Sequence, residues 1–294
     1  MHNAHRRPAA STGSGRPPRL RLAAIAALAA ILALLSACGS SAGTKPAATP
    51  APATPAPTAS SSPVDGTEID QLPSVPSPTV TPSPPDLSTP AGQAAFLRQV
   101  FTDIQAVWSK DFAASGLTYA PARLVLFQSQ VATACGTESA EVGPFYCPGD
   151  RAVYLDLQFF QSLAKQFGVS GDFAEAYVVA HEVGHHIQNL LGITGRVSAA
   201  GQGSNALSVK VELQADCFAG VWAHSTYERK LLEPGDIEEA LKAAQVVGDD
   251  YLARAANTAV DPDSWTHGSS AQRQQWFTTG YHDGRPEACD TFAG

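Results

Sequence analysis

Apolar residues fall into three regimes along this chain. Leu22 to Leu35 is an unbroken apolar run, and residues 39–90 carry few large apolar side chains. From about residue 91, apolar and polar positions alternate with the periods of secondary structure. Phe96, Val100, Ile104, Val107 and Trp108 recur at three- and four-residue spacing and predict a helix over residues 92–112. Leu124, Val125 and Leu126 centre a short strand over 123–127, and Val153 and Tyr154 mark a second over 152–157. A short helix over 159–167 is stopped by Gly168. The stripe Phe173, Tyr177, Ala180, Gly184, Ile187, Leu191 then predicts a longer helix, with Asp172 as N-cap, Glu175 completing a capping box, and Gly192 and Gly195 ending it. A second strong helix is expected over 208–229. Others follow Asp236, with Glu239 in a box-like start, and Asp249, and a last one starts near Ser269 with Gln272 three positions on. Many helices and few strands make the fold class α+β, mostly helical with a small sheet.

The front of the chain follows a different logic. Five arginines and no acid precede Leu22, and the apolar run after them is short for a membrane span and fits the core of a secretory signal. It ends in Leu35-Ser36-Ala37-Cys38, small residues before a cysteine, which resembles the bacterial lipoprotein cleavage box. Residues 1–38 are therefore expected to be a lipoprotein signal peptide whose Cys38 is lipidated. Residues 39–90, rich in Pro, Ala, Ser and Thr, are expected to be a disordered tether favouring extended polyproline II. One domain is expected over residues 91–294.

Charge and cysteines narrow its surroundings. The chain of 294 residues has 19 basic and 27 acidic side chains. Leaving out the five leading arginines gives 14 against 27, a balance of −13, which argues against nucleic acid or an anionic membrane surface as partner. Membrane attachment is expected through lipid, at the outer face of the bacterial cytoplasmic membrane. Beyond Cys38, four cysteines remain: Cys135, Cys147, Cys217 and Cys289. An even number in an exported domain suggests two disulfides, with three pairings open. The turn-rich segment between them favours Cys135–Cys147, leaving Cys217–Cys289; the other reading of Cys217 is a buried free thiol on a helix.

The chemistry concentrates at His181-Glu182-Val183-Gly184-His185. Histidines four apart project from one face of a helix, so both imidazoles can reach one Zn²⁺. Glu182 can reach a water held by that ion. A catalytic site needs a third protein ligand, and Glu212 on the next helix is the candidate. Asp216, one turn later among apolar neighbours, can accept the free N–H of a ligand histidine and fix its orientation. With zinc lowering the pKa of its water from 15.7 toward about 7, Glu182 takes the water proton and passes it to the leaving amine. His186, turned about 100° from His185, is not expected to be a ligand. Two readings are open for His267: a donor to the oxyanion, with Tyr251 and Tyr281 behind it, or a histidine that caps the last helix or is satisfied in the core. Two are open for the 152–157 strand: a rim whose exposed edge pairs with a peptide, or an interior strand.

His-Glu-Val-Gly-His-His-Ile-Gln at 181–188 and Glu-Leu-Gln-Ala-Asp-Cys at 212–217 resemble the bacterial putative neutral zinc metallopeptidases. The resemblance extends to Gly-Pro-Phe-Tyr-Cys-Pro at 143–148, Val-Tyr-Leu-Asp at 153–156, Gly-Asp-Asp at 248–250 and Thr-His-Gly-Ser-Ser at 266–270, nearly the whole domain. It implies a zincin fold with a glutamate as third ligand, the gluzincin arrangement. The expectation is a lipid-anchored zinc peptidase with one catalytic Zn²⁺ acting on a peptide or protein. The alternative is a non-catalytic zinc-containing lipoprotein serving as a binding or scaffold protein of the envelope, and a third keeps the enzyme but changes the bond, as in an amidase on cell-wall peptides.

Overall fold

The computed structural model describes residues 87–200 and 204–293. The expected signal segment with Cys38 and the tether up to residue 86 lie outside the described residues, as do 201–203 of the Gly/Ser-rich loop. The chain opens with α1 (Pro90–Ala114), followed by β1 (Arg123–Phe127), β2 (Gln130–Thr133), β3 (Gly136–Ser139), β4 (Phe145–Cys147) and β5 (Ala152–Asp156). Helices α2 (Leu157–Phe167), α3 (Asp172–Leu190), α4 (Ile193–Ala200), α5 (Asn205–Glu228), α6 (Asp236–Val246), α7 (Asp249–Ala255) and α8 (Ser270–Asp283) complete it. This is the expected α+β, mostly helical architecture. Among the described residues no helix is long and apolar enough to cross a membrane.

The three-stranded sheet has the order β1-β5-β4, with β1 parallel and β4 antiparallel to β5. β2 and β3 form a separate hairpin, whose turn is fastened to β4 by the Cys135–Cys147 disulfide. β5 is buried at every position, as a strand paired on both sides and covered by helices must be. The reading of residues 152–157 as an exposed edge is therefore corrected: β5 is the interior strand, and β4 and β1 are the edges. The second disulfide joins Cys217 on α5 to Cys289 in the final 3₁₀ turn, so Cys217 is not a free thiol.

α3 runs through the middle of the core, buried along nearly its whole length from Phe173 to Gln188. Its start differs from the expected cap. Gly171 is the N-cap and offers no side chain. The carboxylate of Glu239, reaching across from α6, accepts from Phe173 N at 3.1 Å. Gly171 has φ 122°, and a Cβ there would sit 1.9 Å from the Glu239 carboxylate, so only glycine leaves room for this cap from a neighbouring helix. Asp172 lies inside the first turn, and Glu175 turns to the core instead, accepting from Gln93 Nε2 of α1 at 2.7 Å. The Asp236/Glu239 box fails for the same reason, since Glu239 serves α3 while Gly235 is the N-cap of α6. The Ser269/Gln272 box at α8 is complete in both halves. The motif helix ends at Leu190, with Gly192 just past it at φ 75°, while Gly195 lies inside α4. α5 starts earlier than its apolar stripe suggests, because Ser204 caps it through Leu207 N.

Small residues set the closest helix approaches. A Cβ on Gly184 would lie 3.0 Å from the Ala215 backbone, which draws α3 against α5. A Cβ on Gly220 would lie 2.1 Å from Phe277 O, and one on Gly280 would lie 2.0 Å from Cys217 O, so α5 and α8 touch backbone to backbone. α1 is tied to α5 by Asp103, which accepts from Arg229 Nη2 at 2.8 Å and Trp222 Nε1 at 3.0 Å.

Burial pushes the Glu175 carboxyl up to about 7 from an ordinary 4.5, with the Gln93 bond offsetting part of that and Asp172 adding to it. A raised carboxylate pKa favours the folded state below the unfolded value, and that advantage fades as pH rises through 7. Glu175→Gln should therefore leave stability at pH 4 unchanged and raise it at pH 8 by about 2–3 kcal/mol, read from urea unfolding at the two pH values.

Candidate metal centre

The site is assembled by two helices. His181 and His185 lie one turn apart on α3, with ring centroids 4.8 Å apart. The close α3–α5 contact at Gly184 and Ala215 brings Glu212 in front of both rings. Glu212 Oε2 lies 3.2 Å from His181 Nε2, and Oε1 lies 3.4 Å from His185 Nε2. One donor atom from each of the three residues falls within 4.8 Å of the others. Burial alone would raise the Glu212 carboxyl, but His185 and the bond to His181 hold it well below the usual carboxylate range. Two imidazole nitrogens and one anionic oxygen around a common point suit a borderline-soft divalent cation such as Zn²⁺, with a coordination position left over. The expected trio is thus brought together.

Each ring uses its other nitrogen to hold its orientation. His181 Nδ1 lies 2.8 Å from Asp216 Oδ1, as expected for Asp216. Asp216 is fully buried and accepts in addition from Tyr177 Oη at 2.5 Å, Arg273 Nε at 2.8 Å and Arg273 Nη2 at 3.0 Å. Burial acts to raise its pKa, and the Arg273 guanidinium and His181 outweigh it, so Asp216 is a carboxylate. His185 Nδ1 lies 2.9 Å from Gln188 Oε1.

Glu182 sits between the two histidines in sequence and is only 7% exposed. Burial pushes its carboxyl above the usual range, with His185 and His181 pulling part of that back. His186 points elsewhere. Its ring is held by Tyr146 Oη at 3.0 Å and Ala120 O at 2.8 Å, so it binds β4 to the motif helix rather than joining the trio.

His267 contributes, after His185 and the bond to His181, to holding the Glu212 carboxyl low. Its Nδ1 is 3.2 Å from Asp249 Oδ1, while Asp249 Oδ2 gathers the backbone N–H groups of Thr266, His267 and Gly268 at 2.9, 2.8 and 2.9 Å. Capping of α8 falls to Ser269, not to His267. Tyr251 packs against Phe167, and Tyr281 against Phe277 and His224. The Gly-Asp-Asp and Thr-His-Gly-Ser-Ser segments are therefore one structural unit, with Asp249 as its hub and Asp250 accepting from Ser270 N at 2.7 Å.

A model of the family described as "Putative neutral zinc metallopeptidase" matches residues 73–292. The chain belongs to that family. Among relatives of this metallopeptidase family member, "Uncharacterized protein YpfJ" of Escherichia coli K12 is 47% identical over 204 residues, 68% of this chain and 71% of its own length. "Uncharacterized protein Rv2575" of Mycobacterium tuberculosis H37Rv is 53% identical over 186 residues, 60% of this chain and 64% of its own length. "Uncharacterized protein Mb2605" of Mycobacterium bovis has the same identity over the same length. No solved structure matches.

Arg273, Tyr177, Gln188, Gln214 and Asp249 are the site residues that sequence reasoning missed. Arg273 carried no signal, because a lone arginine on a helix reads as surface until tertiary packing supplies its partner. Removing that partner is costly, since an unpaired buried charge destabilises by about 3–5 kcal/mol. Arg273→Met should lower the unfolding free energy by that order in urea titration, and adding Asp216→Asn should recover part of the loss.

Proposed function

We propose that this chain is a zinc-dependent metallopeptidase of the bacterial envelope, held by a lipid on Cys38 to the outer face of the cytoplasmic membrane. The observation that carries the reading is the convergence of His181 Nε2, His185 Nε2 and the Glu212 carboxylate, with Glu182 beside them and bonded to no ligand residue. His181, His185 and Glu212 would hold one Zn²⁺, which when bound supplies an acidified water and polarises the scissile carbonyl.

The chain's own residues do the rest. Glu182 takes the proton of the attacking water, and its raised pKa suits a group that must then pass this proton to the leaving amine. Asp216, clamped by Arg273 and Tyr177, keeps the His181 ring in register. His267, steadied by Asp249, is the donor for the oxygen that becomes negative in the transition state. The outer edge of β4, which pairs only with β5 among the described residues, offers an extended peptide a strand to join beside α3. Two disulfides support an oxidising compartment and hence export.

The purified protein with equimolar zinc should cleave peptides from an unfolded-protein substrate. Glu182→Gln should bind zinc as before and lose at least about 10²-fold in rate, the scale of one lost general base. Zinc binding by the wild type without any cleavage would favour the non-catalytic envelope lipoprotein instead. In cells, Cys38→Ala should move the protein from the membrane fraction to the soluble one.

A further inference from the structure

The two histidines of the trio are oriented by different devices. His181 leans on a carboxylate, which can only accept. His185 leans on the side-chain amide of Gln188, which has a donor end and an acceptor end. What settles the direction of that amide lies further along a buried relay. Gln188 Nε2 is 2.7 Å from Val211 O and 3.0 Å from Gln214 Oε1. Gln214 Nε2 is in turn 3.0 Å from Cys289 O.

Backbone carbonyls accept and never donate. Val211 O and Cys289 O therefore demand the NH₂ ends of Gln188 and Gln214, and each amide is left with its oxygen facing back along the chain of bonds. Gln188 Oε1 must then accept a hydrogen bond from His185 Nδ1. The imidazole carries its proton on Nδ1, and Nε2 is left bare toward Glu212. Reversing any link would set two donors or two acceptors face to face. Gln188 and Gln214 are both 0% exposed, so solvent does not relieve such a mismatch.

The relay ends on a fixed point. Cys289 sits in the 3₁₀ turn Pro286–Cys289 and is bonded to Cys217, the residue after Asp216 on α5. The disulfide thereby holds the last carbonyl of the relay against the helix that carries Glu212.

We propose that Gln188 and Gln214 are positioning residues that, anchored on the Cys289 carbonyl by the Cys217–Cys289 disulfide, hold His185 in the tautomer that presents Nε2 to the metal. The inference rests on the metal-centre reading above. The C-terminal segment, distant in sequence from the motif, thus sets the competence of one of its ligands.

Zinc affinity of the whole protein, measured by competition with a chromophoric chelator, tests it. Gln188→Leu and Gln214→Leu should weaken zinc binding about 10–100-fold, the range for losing an outer partner of a metal ligand. Gln188→Glu keeps an acceptor for Nδ1 but turns a second acceptor oxygen toward Val211 O and Gln214 Oε1, so it should weaken zinc binding as well. In ¹⁵N NMR of the zinc-loaded wild type, His185 should carry its proton on Nδ1 and bind metal through Nε2. This readout stands even where a leucine variant fails to fold. Unchanged affinity in both leucine variants, or a His185 that binds through Nδ1, overturns the relay while leaving the metal centre intact. A wild-type chain that takes up no zinc overturns the metal centre and the relay with it.

Discussion

Asp216 is a full negative charge with no exposure to water, and the rest of the centre is arranged around keeping it there. A bare carboxylate in such surroundings would be protonated or expelled. Here Arg273, Tyr177 and His181 converge on its two oxygens from three directions, and those three residues come from α8 and α3. The carboxylate therefore does two things at once. It fastens three helices at one point, and it fixes which nitrogen of His181 faces Glu212. A fold that lost this network would lose helix packing and site geometry together.

Helix spacing makes the network possible. Gly184 lets α3 approach Ala215 of α5, and Gly220 and Gly280 let α5 and α8 meet at backbone distance. Larger side chains at these positions would hold the helices apart, and Arg273 would no longer reach Asp216. Gly184 thus has a structural task inside the five-residue motif, distinct from the metal chemistry proposed for its neighbours. The α3 N-terminus shows the same economy, because Gly171 leaves space for a carboxylate that belongs to α6.

Much of this was legible in the chain. The long helices and the strands β1 and β5 followed the apolar stripes, since burial of one face imposes the 3.6- or 2-residue period on the sequence, whereas β2, β3, β4 and α4 were not placed. Glu212 and Asp216 were legible because acidic residues at a one-turn spacing amid apolar neighbours need buried partners. The helices at Asp172 and Asp236 begin where the sequence placed them, but their caps were misread, because a capping box is a local pattern and at both starts Glu239 and the preceding glycine override it. The sequence left residues 152–157 open between exposed edge and interior strand, because alternation says which residues are apolar, not how many strands flank them. Arg273 left no trace, and the blocks that contain Gln188, Gln214 and Asp249 did not show what those side chains do, because partners such as Gln214, Asp216 and Cys289 lie 26, 57 or 75 residues away in sequence or, for Asp249, belong to a loop backbone.

Local chemistry, then, is written in the sequence: which helix carries the metal motif, which carboxylates accompany it, and which cysteines are available to pair. These depend on residue type and short-range spacing, which covalent connectivity enforces. The direction of each hydrogen bond, the tautomer of each ligand and the identity of the edge strand belong to the folded molecule. They are set by groups that only packing brings within 3 Å of one another, and a linear pattern holds no record of such meetings.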